Sequence, residues 1–315
     1  MYTITIKSMK GNFEMNDKLL DKRRKYYLIL DTETATLPFV KSENYTEASR
    51  KKIAIMKPLV YDIGWKIIDR QGRTYRRKNY LISEIFCNWE IFSTSYYANK
   101  RPIYLDKLKK GEIVLTDWFN ATKELCVDLS EVFAVGAYNS MFDFKKSIPF
   151  TEEYINAFYY ENIFEWLDKQ KKKCDYILNH PNEIKNENFD KDNFNFRNMN
   201  YPLFDIWGMA CKHLLNNDDF KLMAYKNEWF SPSKCFFSTT AETAFKYFSK
   251  DYDFSEAHTA IDDCDIEAKI FSAIIKKSMK NFEIGITYFP FRILEEVWVF
   301  RDKLEKMEEQ EKVGK

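Results

Sequence analysis

A short apolar run that ends in two acids, one residue apart, constrains this chain more than any other feature. Tyr26-Tyr27-Leu28-Ile29-Leu30 reads as a buried strand, and Asp31-Thr32-Glu33-Thr34 follows it directly. Side chains alternate along a strand, so Asp31 and Glu33 point to the same face at its end. Two carboxylates held that close repel each other unless a cation neutralises them. Carboxylate oxygens suit hard cations such as magnesium or manganese. The fold must bury the strand and leave the acidic pair where a cation can reach it.

Two further patches carry chemistry of the same kind. Tyr138-Asn139-Ser140-Met141-Phe142-Asp143 enters a predicted helix over 140–147, and His258-Thr259-Ala260-Ile261-Asp262-Asp263 opens another over 260–276. Each patch by itself is commonplace: an Asp-x-Glu is usually a solvated strand end, and a single histidine is usually a surface or capping residue. Their ordered combination is far more specific. The predicted helix places Asp263 on a rigid support facing the strand-borne pair, with Ile261, Ile266, Ile270 and Ile274 marking its buried side. His258 falls on the preceding loop, where it can reach a reacting water once substrate is bound.

In order and spacing these patches resemble the three motifs of the DEDDh (DnaQ-like) 3′–5′ exonucleases, a family that includes proofreading exonucleases, ribonuclease T and oligoribonuclease. Asp31, Glu33, Asp143 and Asp263 match its four acids, and His258 stands five residues before Asp263, the spacing of the DEDDh branch. Val60-Tyr61-Asp62-Ile63-Gly64-Trp65, the turn Asp69-Arg70-Gln71-Gly72, and Leu203-Phe204-Asp205-Ile206-Trp207 resemble further strands of the family, so the likeness runs over about residues 26–275. Two positions depart from it. Ala35-Thr36 precedes Leu37 where the family often has Thr-Gly, and Tyr138 stands beside Asn139 where a histidine is common. Neither change removes a metal ligand, and both bear on how a terminal nucleotide fits.

The resemblance implies an α/β fold: a ribonuclease H-like mixed central sheet flanked by helices. It implies two magnesium or manganese ions held by Asp31, Glu33, Asp143 and Asp263, with His258 as general base. The expected reaction removes nucleoside 5′-monophosphates from nucleic-acid 3′ ends, single-stranded DNA first among them. Thr34, Leu37, Asn139 and Phe142 are the substrate-binding residues that the resemblance implies. An exoribonuclease or a phosphodiesterase for short oligonucleotides is the alternative within the same chemistry. A non-catalytic nucleic-acid- or partner-binding protein on the same fold is the alternative of another class.

Beyond the motifs, hydrophobic periodicity predicts strands at 26–31, 60–68, 78–83 and 132–136, and a helix at 117–129 capped by Thr116. Asp143 and Asp263 are separated by an expanded interval. Residues 151–173 read as one helix striped by Ile155, Phe158, Tyr159, Ile163, Trp166 and Leu167, and 181–200 as an exposed polar loop. Further helices follow, at Met209–Leu215 and after the cap Ser238-Thr239-Thr240. This organisation divides the chain into an N-terminal extension (1–25, with a short strand at Tyr2–Ile6), a main domain (26–280, with an insertion at 151–200), and a C-terminal helical extension (281–315). Ile293, Val297, Phe300, Leu304 and Met307 make a seam on the last helix that packs on its own domain by default and keeps a homodimer open.

Composition narrows the class. The net charge is +1, from 49 basic and 48 acidic residues, so affinity for nucleic acid has to come from local patches; Arg73 with Arg76-Arg77-Lys78, beside the site, is the most interesting. The abundant aromatic residues, 27 Phe, 20 Tyr and 7 Trp, are mostly core, with some free to stack unpaired bases. The six cysteines include no CxxC pair, and Cys174, His180, Cys211, His213 and Cys235 fit no standard zinc spacing. No apolar leader core or membrane-spanning stretch is present, so a cytoplasmic enzyme with no membrane partner and no small-molecule cofactor is expected.

Overall fold

The computed structural model describes residues 20–40, 51–52, 56–180, 190–277, 280, 282–286 and 296–313. The fold is α/β, with a mixed seven-stranded sheet in the order β4-β3-β2-β1-β5-β7-β6. The strands are β1 (Tyr26–Ala35), β2 (Leu59–Asp69), β3 (Thr74–Ile82), β4 (Val114–Thr116), β5 (Ala134–Ala137), β6 (Asn193–Phe196) and β7 (Met199–Asp205). β1 pairs antiparallel with β2 and parallel with β5, and β5 pairs parallel with β7. β2 and β3 form a hairpin closed at Gly72, whose φ of 76° suits a residue without Cβ. Asp69 fastens this turn by accepting hydrogen bonds from the Gln71 and Arg73 amides.

The period-two pattern of β1 separates two cores. Tyr26, Leu28 and Leu30 face one; Tyr27 and Ile29 face the other. The first is covered by α1 (Ser83–Phe86), α2 (Trp89–Phe92), α3 (Arg101–Lys110), α4 (Trp118–Leu129), and by α5 (Ser140–Phe142), which runs through a π-helical turn at Asp143–Ser147 into α6 (Ile148–Tyr160) and is followed by α7 (Ile163–Asn179). The second is covered by α8 (Ile206–Leu215), α9 (Asp218–Lys226), α10 (Ala241–Ser249), α11 (Ala260–Lys277) and α12 (Val297–Val313). Among the described residues no helix is long and apolar enough to cross a membrane.

Several expectations change. α4 is capped by Asp117, which accepts the Asn120 amide, and not by Thr116. The single helix read over 151–173 is two, because Asn162 caps α7 by accepting the Phe164 and Glu165 amides; Phe158 and Tyr159 are exposed rather than part of a buried stripe. The interval read as loop up to residue 200 contains the β6–β7 hairpin. Its two-residue turn, Arg197-Asn198, has φ of 48° and 64°, the left-handed geometry such turns require, without the Asn-Gly pair that would have announced it. The basic run on β3 is neutralised. Arg76 and Lys78 meet the buried Asp128, to which the Trp65 indole also donates, and Arg77 meets Asp262 and Asp265. These three residues therefore brace the sheet, while Arg73, the fourth residue of the patch, is exposed. On α12, Val297 and Phe300 are buried in the second core and Leu304 packs beside them, while Ile293, the Met307 side chain and Tyr2–Ile6 lie outside the described residues.

Candidate metal centre

The acidic patches converge where β1 and β5 end. Continuing the alternation of β1, Asp31 and Glu33 point to the face covered by α11. A bulge between Glu33 and Thr34 follows, where Glu33 lies opposite Asp62 and Thr34 opposite Val60. Thr32 points to the other face and donates to Asp143 Oδ1 at 2.6 Å, fixing the carboxylate that leaves β5 through the α5 turn. Thus residues 111 positions apart are tied by one buried hydrogen bond.

Asp263 is delivered by α11, and the close approach of this helix depends on Gly64. Gly64 pairs with Asp31 across the β1–β2 ladder, and a Cβ there would lie 2.7 Å from the Ile261 nitrogen and 2.8 Å from the Ala260 carbonyl carbon. The start of α11 therefore rests on the backbone directly beside Asp31. Asp62 caps this helix by accepting the Ala260 amide at 3.0 Å, and is itself held by the Asn79 side chain. Asp262 turns away, to Lys107 at 2.6 Å and Thr259 at 2.7 Å.

His258 adopts φ 53°, a left-handed conformation that is uncommon for a non-glycine residue. Its surroundings are specific. Its ring stacks on Tyr97 at 4.5 Å and 15°, and Lys100 donates to the Ala257 carbonyl at 2.7 Å. His258 Nδ1 lies 3.6 Å from Glu256 and 4.0 Å from Asp263. One ligand atom each from Glu33, His258 and Asp263 lies within 4.8 Å of the others, a possible metal-binding triad.

Electrostatics mark the same spot. Burial, followed by the charges of Glu267, Asp143, Asp263 and Glu33, pushes Asp31 well above the usual carboxylate range. Burial, then Asp263 and Asp62, does the same to Glu33. Burial raises Asp143 to about 7 against the opposing Thr32 hydrogen bond, and burial with Glu256 raises Asp263 to about 8. His258 is pulled below its ordinary value, by burial first and Lys100 second. Among the described residues no lysine or arginine forms an ion pair with these acids, and Asp263 Oδ1 is buried without a hydrogen-bond partner. Lys100 partly offsets the charge on Glu33 and Asp263, yet buried carboxylates packed this closely remain strongly unfavourable. Hard oxygen donors with an unmatched buried atom fit a divalent cation.

The substrate-binding candidates divide. Asn139 is exposed and Phe142 half-buried beside Asp143, while Thr34 is half-buried on β1. Leu37 is completely buried in the first core, and Tyr138 is buried in the second, donating to the Thr239 carbonyl at 2.6 Å. The Tyr138 side chain therefore serves packing, while its backbone amide donates to the Glu267 carboxyl. Asp205 caps α8 by accepting the Gly208 amide. Sequence reasoning missed Glu256, Glu267 and Tyr97. Glu267 was legible in principle, four residues after Asp263 on one helix face. Tyr97 left no local signal. Comparison with models of known families, with curated proteins and with solved structures gives no match.

Proposed function

We propose that this chain is a divalent-metal-dependent 3′–5′ exonuclease on a ribonuclease H-like sheet. The observation that carries the reading is the convergence of Asp31, Glu33, Asp143 and Asp263 from three distant patches, with His258 beside Asp263. The strand order supports the fold: a β3-β2-β1 antiparallel meander continued by parallel β5 and β7.

Asp31, Glu33, Asp143 and Asp263 would hold two divalent cations, magnesium or manganese. When bound, such ions lower the pKa of a coordinated water and neutralise charge on the leaving 3′ oxygen. His258 accepts the proton of the attacking water. Its Nδ1 faces Glu256 and Asp263, which leaves Nε2 for that transfer, and its lowered pKa keeps the imidazole unprotonated at neutral pH. The Tyr97 stack and the Lys100 anchor hold the ring over the acids. Thr32 keeps Asp143 in place, and Asn139 and Phe142 border it where a terminal nucleotide would enter.

The decisive assay is a panel of 5′-labelled single-stranded DNA, duplex DNA, RNA and a dinucleotide, each with magnesium or manganese. Stepwise shortening of the preferred strand is expected, with resistance of a circular single strand and of a 3′-phosphate end. Full activity in excess chelator contradicts the metal reading, and rapid cutting of the circle indicates an endonuclease.

A further inference from the structure

We infer that Glu267 is a fifth carboxylate ligand of the cation centre, so that the site is richer in negative charge than its sequence motifs imply. The inference rests on the metal-dependent reading above. Glu267 lies one helical turn beyond Asp263 on α11, and side chains at that spacing share a face. It is only 3 % exposed, yet among the described residues no donor reaches its Oε2. The groups whose charge it meets include Asp143 first, then Asp263 and Glu256, and it is the strongest charged neighbour of Asp31. It thus touches electrostatically the acids contributed by β1, the α5 turn and α11.

The Glu267 carboxyl accepts from the Tyr138 backbone amide, which leaves Oε2 as the oxygen with no donor; among other carboxylates, the charge on that oxygen adds only repulsion to the packing. Glutamine would fill the same volume and keep an acceptor for the Tyr138 amide without the repulsion. The Oδ1 atom of Asp263 is buried and unmatched in the same way. Two such oxygens on one face of one helix are a matched pair of hard donors. A divalent cation supplies the charge that both lack.

The test uses the full chain with manganese chloride alone, at fixed pH 8, reading thermal unfolding and manganese affinity for wild type and Glu267→Gln. For the metal-free protein, Glu267→Gln is expected to melt at or above the wild-type temperature, because one repelling charge is gone. The rise in melting temperature on adding manganese should shrink, and the apparent Kd should weaken at least tenfold. A structural role gives the reverse: a lower metal-free melting temperature with unchanged manganese affinity. That result, or equal affinity in the two proteins, overturns the inference. Should Glu267→Gln not fold, Glu267→Met is read by manganese affinity alone, because it also removes the acceptor of the Tyr138 amide, and failure of both to fold also counts against a ligand role. Failure of the wild type to bind manganese defeats the metal reading itself, which is distinguishable from a ligand set that merely omits Glu267.

Discussion

Substituting Gly64 by alanine tests the architecture of the site without touching any of its acids. The new Cβ would sit 2.7 Å from the Ile261 nitrogen, 2.8 Å from the Ala260 carbonyl carbon and 2.9 Å from the Ile261 Cα. These are backbone atoms of α11, so no side chain can swing aside. Ordinary contact begins at 3.4 Å, so the helix start must retreat by 3.4 − 2.7, about 0.7 Å. Overpacking of this kind costs about 1–3 kcal/mol, or very roughly 2–12 °C in Tm at ~2–4 °C per kcal/mol. Asp263 lies two residues after Ile261 and moves with the helix. Misplacement of a reacting group by about 1 Å costs on the order of a hundredfold in rate, so a loss of roughly tenfold to a hundredfold in kcat is expected. Differential scanning calorimetry and a labelled-strand assay in manganese measure the two effects. A Gly64→Ala protein with wild-type Tm and wild-type kcat would refute the claim that direct contact with β2 sets the position of Asp263.

Other expectations follow from the same geometry. Asp143 and Asp263 titrate in the folded state at about 7 and about 8, above their unfolded values, so they favour folding below about pH 4 and lose that contribution as pH rises through those values. The metal-free Tm should therefore fall between about pH 4 and 8, and manganese should flatten the decline; a metal-free Tm that rises across this interval contradicts the assignment. His258→Ala should reduce turnover by about a hundredfold to ten-thousandfold while leaving manganese affinity nearly unchanged, which calorimetric titration can check. Asp262→Ala, which loses the Lys107 and Thr259 contacts at a partly exposed position, should cost no more than about 1 kcal/mol and retain activity; a dead Asp262→Ala with an active Asp263→Ala would reverse their roles. Tyr97→Ala should lower kcat more than it raises KM, with Tyr97→Phe restoring the rate, because the ring supports His258 by stacking; equal rates for Tyr97→Ala and wild type would dismiss that support.

Local order was written plainly in this chain. The apolar run before Asp31 required a buried strand, its period-two alternation dictated that Asp31 and Glu33 share a face, and the Ile261, Ile266, Ile270 and Ile274 pattern placed Asp263 on a helix. These outcomes depend on backbone geometry and burial within a few residues, which a sequence carries directly. The contacts that close the site had no such signature. Thr32 holds Asp143 across 111 residues, Gly64 admits α11 beside Asp31, and Tyr97 reaches His258 from a segment that no motif marks. The basic run at Arg76–Lys78 read as a surface feature because the acids that neutralise it, Asp128 for Arg76 and Lys78 and Asp262 with Asp265 for Arg77, lie on helices far along the chain. Periodicity along the chain determined what each element buries; which side chains then meet across the sheet was decided only by packing the elements together.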